Sequence, residues 1–366
     1  MRDAYCVREC NHDVLLSPPP STSPRNPPPS TLNPSPSTRP PHAIAPIVDS
    51  TYTPPPLLHG GHRQTLYASL VRHVDFTYDR RERIETPDDD FLDLDWANAN
   101  APDARRVAIL THGLEGSADR RYMRGMARAF VRRGWDACAL NLRGCSGEPN
   151  RQVTTYHSGK TDDLAFVVKH VLDQGYKSTA LVGFSLGGNL TLKHLGEQGH
   201  QLDARIIGAA VVSAPVDLDA SADRIDRWSN WHYTQYFLRS LRWKMRVKAE
   251  QHPDRVSTAP LQEIRTLRGF DDAYTAPLHG FDGADDYYRR ASSKPVLSDI
   301  AVPTLLLNAA NDPFLSPSCY PFPIARRHSH LTLEVPESGG HVGFVSFNDT
   351  GEYWSEQRTA SFLTSL

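Results

Sequence analysis

The chain has 366 residues, and its 40 basic and 42 acidic side chains give a formal net charge of −2. This near balance excludes the strongly basic footprint of a nucleic-acid-binding protein and the acidic tail of a charge-driven partner. No apolar run reaches the roughly 20 residues of a membrane-spanning helix, and the charged N-terminus lacks the apolar core of a signal peptide.

Most of the N-terminal segment, residues 1–51, lies in a stretch rich in proline, serine and threonine that runs from residue 14 to residue 56. It has few large apolar side chains and its prolines donate no backbone hydrogen bond, so we expect it to be disordered. A PxxP ligand for a partner domain is the alternative. Cys6, Cys10 and His12 have no second cluster at zinc-site spacing, which favours chance over a metal site. The five cysteines of the chain, an odd number without a CxxC pair, indicate a reducing cytoplasm rather than a disulfide framework.

Residues 52–366 have the pattern of a folded domain. Short alternating segments come first and are typical of exposed strands: Phe76–Tyr78, Arg83–Glu85 and Phe91–Trp96. Apolar runs typical of strands buried on both faces follow: Val107–Thr111, Ala137–Leu142, Ala180–Phe184, Ile206–Ser213, Thr304–Asn308 and Leu331–Val335. Helical apolar patterns lie between them, as at Tyr122–Val131 and at Leu164–Leu172, for which Thr161 is the predicted N-cap. This alternation predicts an α/β fold with a mainly parallel central sheet flanked by helices.

The alternation breaks between residues 218 and 295, an interval rich in tryptophan, tyrosine and arginine. Because it falls between two predicted core strands, we interpret it as a mostly helical cap insertion over the carboxyl edge of the sheet. Ligands of open α/β sheets bind at that edge. Its aromatic side chains would suit an apolar acyl pocket, or simply the core of the cap.

A G-x-S-x-G motif surrounds Ser185, directly after an apolar strand pattern and directly before a helical one. That context is what a nucleophile elbow requires, because Gly183 and Gly187 let strand and helix approach closely. The serine would stand at the sheet edge beside a helix N-terminus that favours developing negative charge.

A serine hydroxyl needs a base, and the elbow's fold orders its triad nucleophile, acid, histidine. His341 follows the last predicted strand in a glycine-rich loop, whereas His328 and His330 stand at a strand entrance. Asp312 follows the strand Thr304–Asn308 and would orient the imidazole. Asp217 also follows a core strand and is the alternative acid, although either aspartate could instead cap a turn or helix.

The oxyanion hole should combine the amide after the nucleophile, that of Leu186, with an amide from the loop after an earlier strand. Leu114 in the sequence His112-Gly113-Leu114-Glu115-Gly116 is the candidate for the second donor. We expect His112 to brace this loop rather than to take part in chemistry. The Arg143–Asn150 loop lacks the P-loop lysine, so we expect a turn there and no phosphate site.

At these residues the chain resembles the YheT-like family of α/β-hydrolases, or AB-hydrolase family 4, a branch that also includes eukaryotic membrane-anchored lipases. The similar segments are GGHRQTLYASL, HGLEGSADRRYMRG, NLRGCSGEPN, YHSGKTDDL, LVGFSLGGNL, NAANDPF and ESGGHVGF, in this order from about residue 52 to the C-terminus. The resemblance implies an α/β-hydrolase fold and hydrolysis of carboxylic esters by a Ser–Asp–His relay, carried onto Ser185, Asp312 and His341. Many relatives have two adjacent acidic residues before Pro-Phe. Here Asn311 replaces the first, which singles out Asp312.

These observations predict a serine hydrolase that cleaves small-molecule or lipid esters without a metal or organic cofactor. An acyltransferase with the same triad and a non-catalytic binding protein on a hydrolase scaffold are the alternatives, because fold alone does not decide function. We expect no nucleic-acid partner. The acyl chain, the alcohol and the oligomeric state stay open at this level.

Overall fold

The computed structural model describes residues 46–100 and 105–366, and within them the chain forms one nine-stranded sheet. Its strands are β1 (Ile47–Val48), β2 (Arg80–Glu85), β3 (Phe91–Ala97), β4 (Arg106–Thr111), β5 (Asp136–Asn141), β6 (Ser178–Phe184), β7 (Ile206–Val212), β8 (Thr304–Leu307) and β9 (Leu331–Glu334). Their spatial order is β1-β9-β8-β7-β6-β4-β5-β3-β2. Neighbours from β1 through β5 pair in parallel, whereas β3 pairs antiparallel with β5 and β2.

Helices cover both faces of this sheet within the described residues. They are α1 (Gly61–Leu66), α2 (Arg121–Val131), α3 (Thr161–Asp173), α4 (Leu186–Gln198), α5 (Leu218–Ile225), α6 (Trp231–Gln251), α7 (Leu267–Phe270), α8 (Ala276–Leu278), α9 (Ala284–Ala291), α10 (Phe322–Ala325) and α11 (Trp354–Thr364). Successive side chains of β6 point to opposite faces, so Leu181 joins the core under α3 and α4 while Val182 joins the core under α2 and α11. The predicted strands buried on both faces are therefore confirmed.

The strand order places the carboxyl ends of β4 and β6 side by side, with β5 on the far side of β4. From β4 the chain continues to β5 on one side, and it then crosses back to β6 on the other side of β4. The neighbouring strands β4 and β6 therefore form a topological switch point. Crevices at such points are where α/β sheets bind ligands. The loops that begin at His112 and Ser185 both start there.

Helices α5 to α9 lie in the insertion between β7 and β8 and form small apolar cores of their own. One contains Leu238, Met245 and Phe270, and a second contains Ala222 and Tyr288. The insertion is thus a packed helical cap. No helix of the described ranges is long and apolar enough to cross a bilayer.

Three local expectations are wrong. Phe76–Tyr78 is not a strand, because the Phe76 carbonyl accepts from the Arg124 guanidinium and both rings pack on the α2 side of the core. Strand β3 is buried throughout rather than exposed, because Arg83 and Arg81 of β2 pair with its aspartates. Thr161 is the first residue of α3, and the N-cap position belongs to Lys160.

Residues 1–45 of the segment predicted to be disordered, 1–51, lie outside the described residues. From residue 46 onward the chain is described, and Ile47–Val48 pairs in parallel with β9. The sheet therefore begins before the predicted domain boundary at residue 52. Cys6, Cys10 and His12 lie outside the described residues.

Candidate active site

Ser185 lies at the sharp turn between β6 and α4, with φ 51° and ψ −121°. Such a conformation in a residue other than glycine costs on the order of 1–3 kcal/mol and occurs where the surrounding structure enforces it. Here a Cβ on Gly187 would lie 2.4 Å from the Thr111 carbonyl oxygen, and one on Gly183 would lie 2.4 Å from the Gly187 carbonyl oxygen. Only glycine at these two positions lets the helix approach the strands this closely.

The imidazole of His341 contacts both other members of the predicted triad. Its Nε2 is 2.9 Å from Ser185 Oγ, and its Nδ1 is 2.9 Å and 3.1 Å from the two carboxylate oxygens of Asp312. Asp312 is 2 % exposed and also accepts a hydrogen bond from the Phe314 amide at 2.8 Å. With Nδ1–H donating to the carboxylate, Nε2 is the acceptor that faces the serine hydroxyl.

The alternative candidates take other positions. The Asp217 side chain accepts from the Ala220 amide at the start of α5 and pairs with Lys294, so it is the helix cap that the sequence allowed for. His328 packs beside the start of β9, where its Nε2 contacts the Ser298 carbonyl oxygen. Neither contacts Ser185.

The loop of His341 is held by residues to which the sequence reasoning gave no role. The His341 amide donates to Thr65 Oγ1 at 2.8 Å, and the Val342 amide donates to Ser213 Oγ at 2.9 Å. The Gly340 amide donates to the Asn311 side chain at 2.9 Å. Thr65 belongs to the segment GGHRQTLYASL, which is similar to the YheT-like family. That similarity is the sequence signal that points to a role for Thr65.

The candidate oxyanion loop folds back on itself after β4. The Gly116 amide donates to the Gly113 carbonyl at 3.0 Å, and Glu115 takes a positive φ of 51° inside this turn. A Cβ on Gly113 would lie 3.0 Å from Ser185 Cβ, so the loop directly adjoins the serine. Leu114 lies within the turn, and Leu186 is the first residue of α4, where a backbone N–H has no partner inside the helix.

His112 joins this loop to the next strand end, in keeping with the predicted bracing role. Its Nδ1 donates to the Gly113 carbonyl at 2.8 Å and its Nε2 accepts from the Leu142 amide at 3.1 Å. This pattern requires a neutral ring. Complete burial lowers the pKa of His112 to about 4.

Comparison with known proteins identifies the family of this chain. The family model of the α/β-hydrolase fold matches residues 108–347. The candidate esterase YheT of Escherichia coli strain K12 is 37 % identical over 311 residues, which cover 83 % of this chain and 90 % of that protein. This chain is a YheT-like α/β-hydrolase. The family and the fold predicted from the motifs are confirmed.

Further relatives of this hydrolase have names that refer to lipids. Phospholipase ABHD3 of Mus musculus is 29 % identical and aligns with 82 % of this chain and 74 % of its own length. Monoacylglycerol lipase of Saccharomyces cerevisiae is 30 % identical and aligns with 78 % of this chain and 63 % of its own length. The solved esterase Pf2001 of Pyrococcus furiosus superposes with a TM-score of 0.54 at 17 % identity, covering 80 % of this chain and 96 % of that one, which supports the fold alone.

Ser185 of the hydrolase lines two cavities. The larger has a volume of about 660 Å³, and His341 lines it together with apolar side chains: Leu66, Leu70, Phe237 and Phe314. The smaller, of about 110 Å³, is lined by cap residues that include the buried Tyr288 and the half-buried Asp271. A substrate ester at the serine could therefore place one side in a roomy cavity and the other in a narrow one.

An ion pair with the buried Glu115 carboxylate joins the cap to the candidate oxyanion loop. Lys244 of α6 donates to Glu115 at 2.7 Å and lies 3.0 Å from the Cys145 sulfur. Burial opposes ionisation of Glu115, but Lys244 and the hydroxyls of Ser240 and Tyr156 outweigh it and lower the pKa of this carboxyl. Cys145 is no candidate nucleophile, because burial raises the pKa of its thiol to about 11.

Proposed function

We propose that this hydrolase cleaves carboxylic esters through an acyl-enzyme formed on Ser185. The observation that carries the proposal is the continuous pair of hydrogen bonds from Ser185 through His341 to the buried Asp312. A serine hydroxyl is a weak nucleophile, and this arrangement supplies both the base that activates it and the group that holds the base in the required tautomer.

In the first half of the reaction, Ser185 Oγ attacks the ester carbonyl carbon while His341 Nε2 takes the hydroxyl proton. The negative charge that develops on the carbonyl oxygen is stabilised by the amides of Leu114 and Leu186. Removal of one such donor typically costs about 10²–10³-fold in rate. His341 then passes the proton to the departing alcohol, and the acyl group remains on Oγ.

In the second half, water enters the space that the alcohol has left. His341 Nε2 takes a proton from this water as its oxygen attacks the acyl carbonyl carbon. Collapse of the second tetrahedral intermediate returns the proton to Ser185 Oγ and releases the carboxylic acid. Asp312 stays ionised throughout and stabilises the transient imidazolium.

Lipid or other apolar esters are the substrate class that the larger cavity supports best. Its volume of about 660 Å³ lies within the range of about 300–1,000 Å³ that is common for small-molecule sites. Leu66, Leu70 and Phe237 supply apolar wall beside the serine. The names of the phospholipase and monoacylglycerol lipase relatives agree with this choice.

Labelling with a fluorophosphonate probe, followed by assay on p-nitrophenyl and glycerol esters of graded chain length, tests the proposal. We expect the wild-type chain to be labelled and active, and Ser185→Ala to be unlabelled with its kcat reduced by at least about 10³-fold. Full ester hydrolysis by Ser185→Ala would remove the assignment. Absence of labelling in the wild type would favour the binding protein, and acyl transfer to added alcohol in preference to water would favour the acyltransferase.

A further inference from the structure

The outward face of α6 carries aromatic and charged side chains in a single stripe. Its exposed positions recur at intervals of four and three residues, which places them on one face of the helix. They are His232, Tyr236, Arg239, Trp243, Arg246 and Glu250, here called the α6 stripe. Tyr236 is 54 % exposed and Trp243 is 52 % exposed. Trp228 and Trp231, at the start of the helix, are exposed as well.

The stripe is positively charged and unpaired. Arg239 and Arg246 form no ion pair with any carboxylate of the described residues, and Glu250 is the one acid of the stripe. The two lysines on the inner side of α6 differ, because Lys244 pairs with Glu115 and Lys248 donates to the backbone carbonyls of Asn150 and Gln152. The inner cations stabilise the fold, whereas the outer arginines are available to an anionic partner.

The same stripe begins at the mouth of the larger cavity. His232 and Tyr236 line that cavity, and Tyr236 accepts a hydrogen bond from Arg120 at 3.0 Å. Leu66 and Leu70 also line the cavity, and Leu70 is 68 % exposed. Exposed apolar side chains and aromatic rings therefore surround the opening that leads to Ser185, and Arg239 and Arg246 continue the same face of α6 beyond it.

We propose that the α6 stripe and the neighbouring mouth dock this hydrolase on an anionic lipid surface. Indole and phenol rings favour the boundary between headgroups and acyl chains, and arginine binds phosphate groups through several donors at once. The charge of the stripe is complementary to such a surface. Docking would bring the cavity mouth against the lipid, so that an apolar ester could enter without crossing water.

Vesicle flotation in the Ser185→Ala background tests this, because binding is then measured without turnover and without reliance on the proposed reaction. We expect binding to vesicles of equal parts phosphatidylcholine and phosphatidylglycerol, and weak binding to phosphatidylcholine alone. Arg239→Gln/Arg246→Gln should weaken binding about 25-fold at low salt, about fivefold for each arginine. Trp243→Ala should weaken it on both kinds of vesicle.

Arg326→Gln/Arg327→Gln is the matched control, since it removes two exposed arginines that lie outside the stripe. It should bind vesicles like its parent. When Ser185 is kept instead of replaced by alanine, all of these stripe and control variants should hydrolyse a soluble acetyl ester at the wild-type rate. Equal vesicle binding by the stripe variants and their parent, or no binding by the parent, would overturn the proposal. So would stripe-dependent binding of an RNA oligonucleotide or of a second copy of the chain in place of vesicles.

Discussion

The Thr65 side chain connects two segments that are 276 residues apart. It accepts from the His341 amide at 2.8 Å and donates to the Gly61 carbonyl oxygen within α1. Gly340, immediately before the histidine, has a φ of 61° and no room for a Cβ beside the same hydroxyl. A single hydroxyl therefore helps to hold the imidazole where it can contact both Ser185 and Asp312.

Replacement of this hydroxyl by a methyl group, in Thr65→Val, should lower kcat more than it changes KM. Loss of the hydrogen bond should cost about 0.5–1.5 kcal/mol of stability, and a displaced base can cost up to about 100-fold in rate. Steady-state kinetics with a soluble ester and urea unfolding measure the two effects. Thr65→Ser should behave like the wild type. A Thr65→Val protein that is less stable but has unchanged kcat would show that Thr65 only supports the fold.

The difference between Thr65 and the predicted residues shows where sequence reasoning ends at this scale. Ser185 is flanked by glycines that the elbow requires, and His341 and Asp312 each follow a strand in the order that the fold uses. Thr65 has no such local mark, since its role arises only when α1 packs against the His341 loop. The hydroxyl of Ser213 escaped prediction for the same reason, because its partner amide is 129 residues away.

At the scale of elements, the buried pair of Lys244 and Glu115 couples the cap helix α6 to the loop that carries Leu114. Glu115 also binds the hydroxyls of Tyr156 and Ser240, so four side chains meet at the candidate oxyanion loop. The position of the cap and the conformation of the loop are therefore linked by charge.

Lys244→Met should destabilise the protein strongly because it leaves the Glu115 carboxylate buried and unpaired. Removal of one partner of such a pair typically costs about 3–5 kcal/mol, whereas replacement of both partners costs far less. Urea unfolding of Lys244→Met, Glu115→Gln and the double variant gives the coupling energy. The double variant should recover most of the loss, and additive effects of the two single changes would contradict the link.

The elements themselves were predictable to different degrees. Strands β4 to β8 are buried on both faces and have the mainly apolar sequences that reveal such strands. Phe76–Tyr78 has an alternating sequence, yet its rings pack on the core while its backbone forms no ladder. Alternation reports which side chains are buried, and only the partners of the backbone decide whether a strand forms.

For the molecule as a whole, four histidines tie stability to pH, of which His112 and His194 are buried and His157 and His279 are half-buried. Burial lowers the pKa of His112, His194 and His279 to about 4, and that of His157 to about 2. In the unfolded chain these imidazoles bind protons near pH 6.5. Between pH 6.5 and 4 the unfolded state therefore holds more protons than the folded state, and acid favours unfolding.

The free energy of unfolding should fall as the pH is lowered from 6.5 to 4, with each histidine contributing up to about 1.4 kcal/mol per pH unit. Urea unfolding at pH 7, 6 and 5 measures this dependence, because these pH values lie about half a unit or more to either side of the histidine pKa in the unfolded chain. His194→Leu removes a ring whose buried Nε2 has no hydrogen-bond partner among the described residues. In this variant the free energy of unfolding should fall less steeply with decreasing pH, by the contribution of about one proton. An unchanged slope would contradict the buried neutral state of His194.

The two-residue strand β1 has a consequence for the open edge of the sheet. Ile47–Val48 lies along β9, and the Leu333 amide donates to the Pro46 carbonyl oxygen at 2.9 Å. A chain trimmed to start at residue 52 would leave the outer backbone groups of β9 open to pairing with another molecule. With β1 in place, the outermost strand has two residues and is preceded by Pro46, which has no N–H to donate to a strand of another molecule. Within the described residues, the short first strand thus disfavours edge-to-edge pairing at β9.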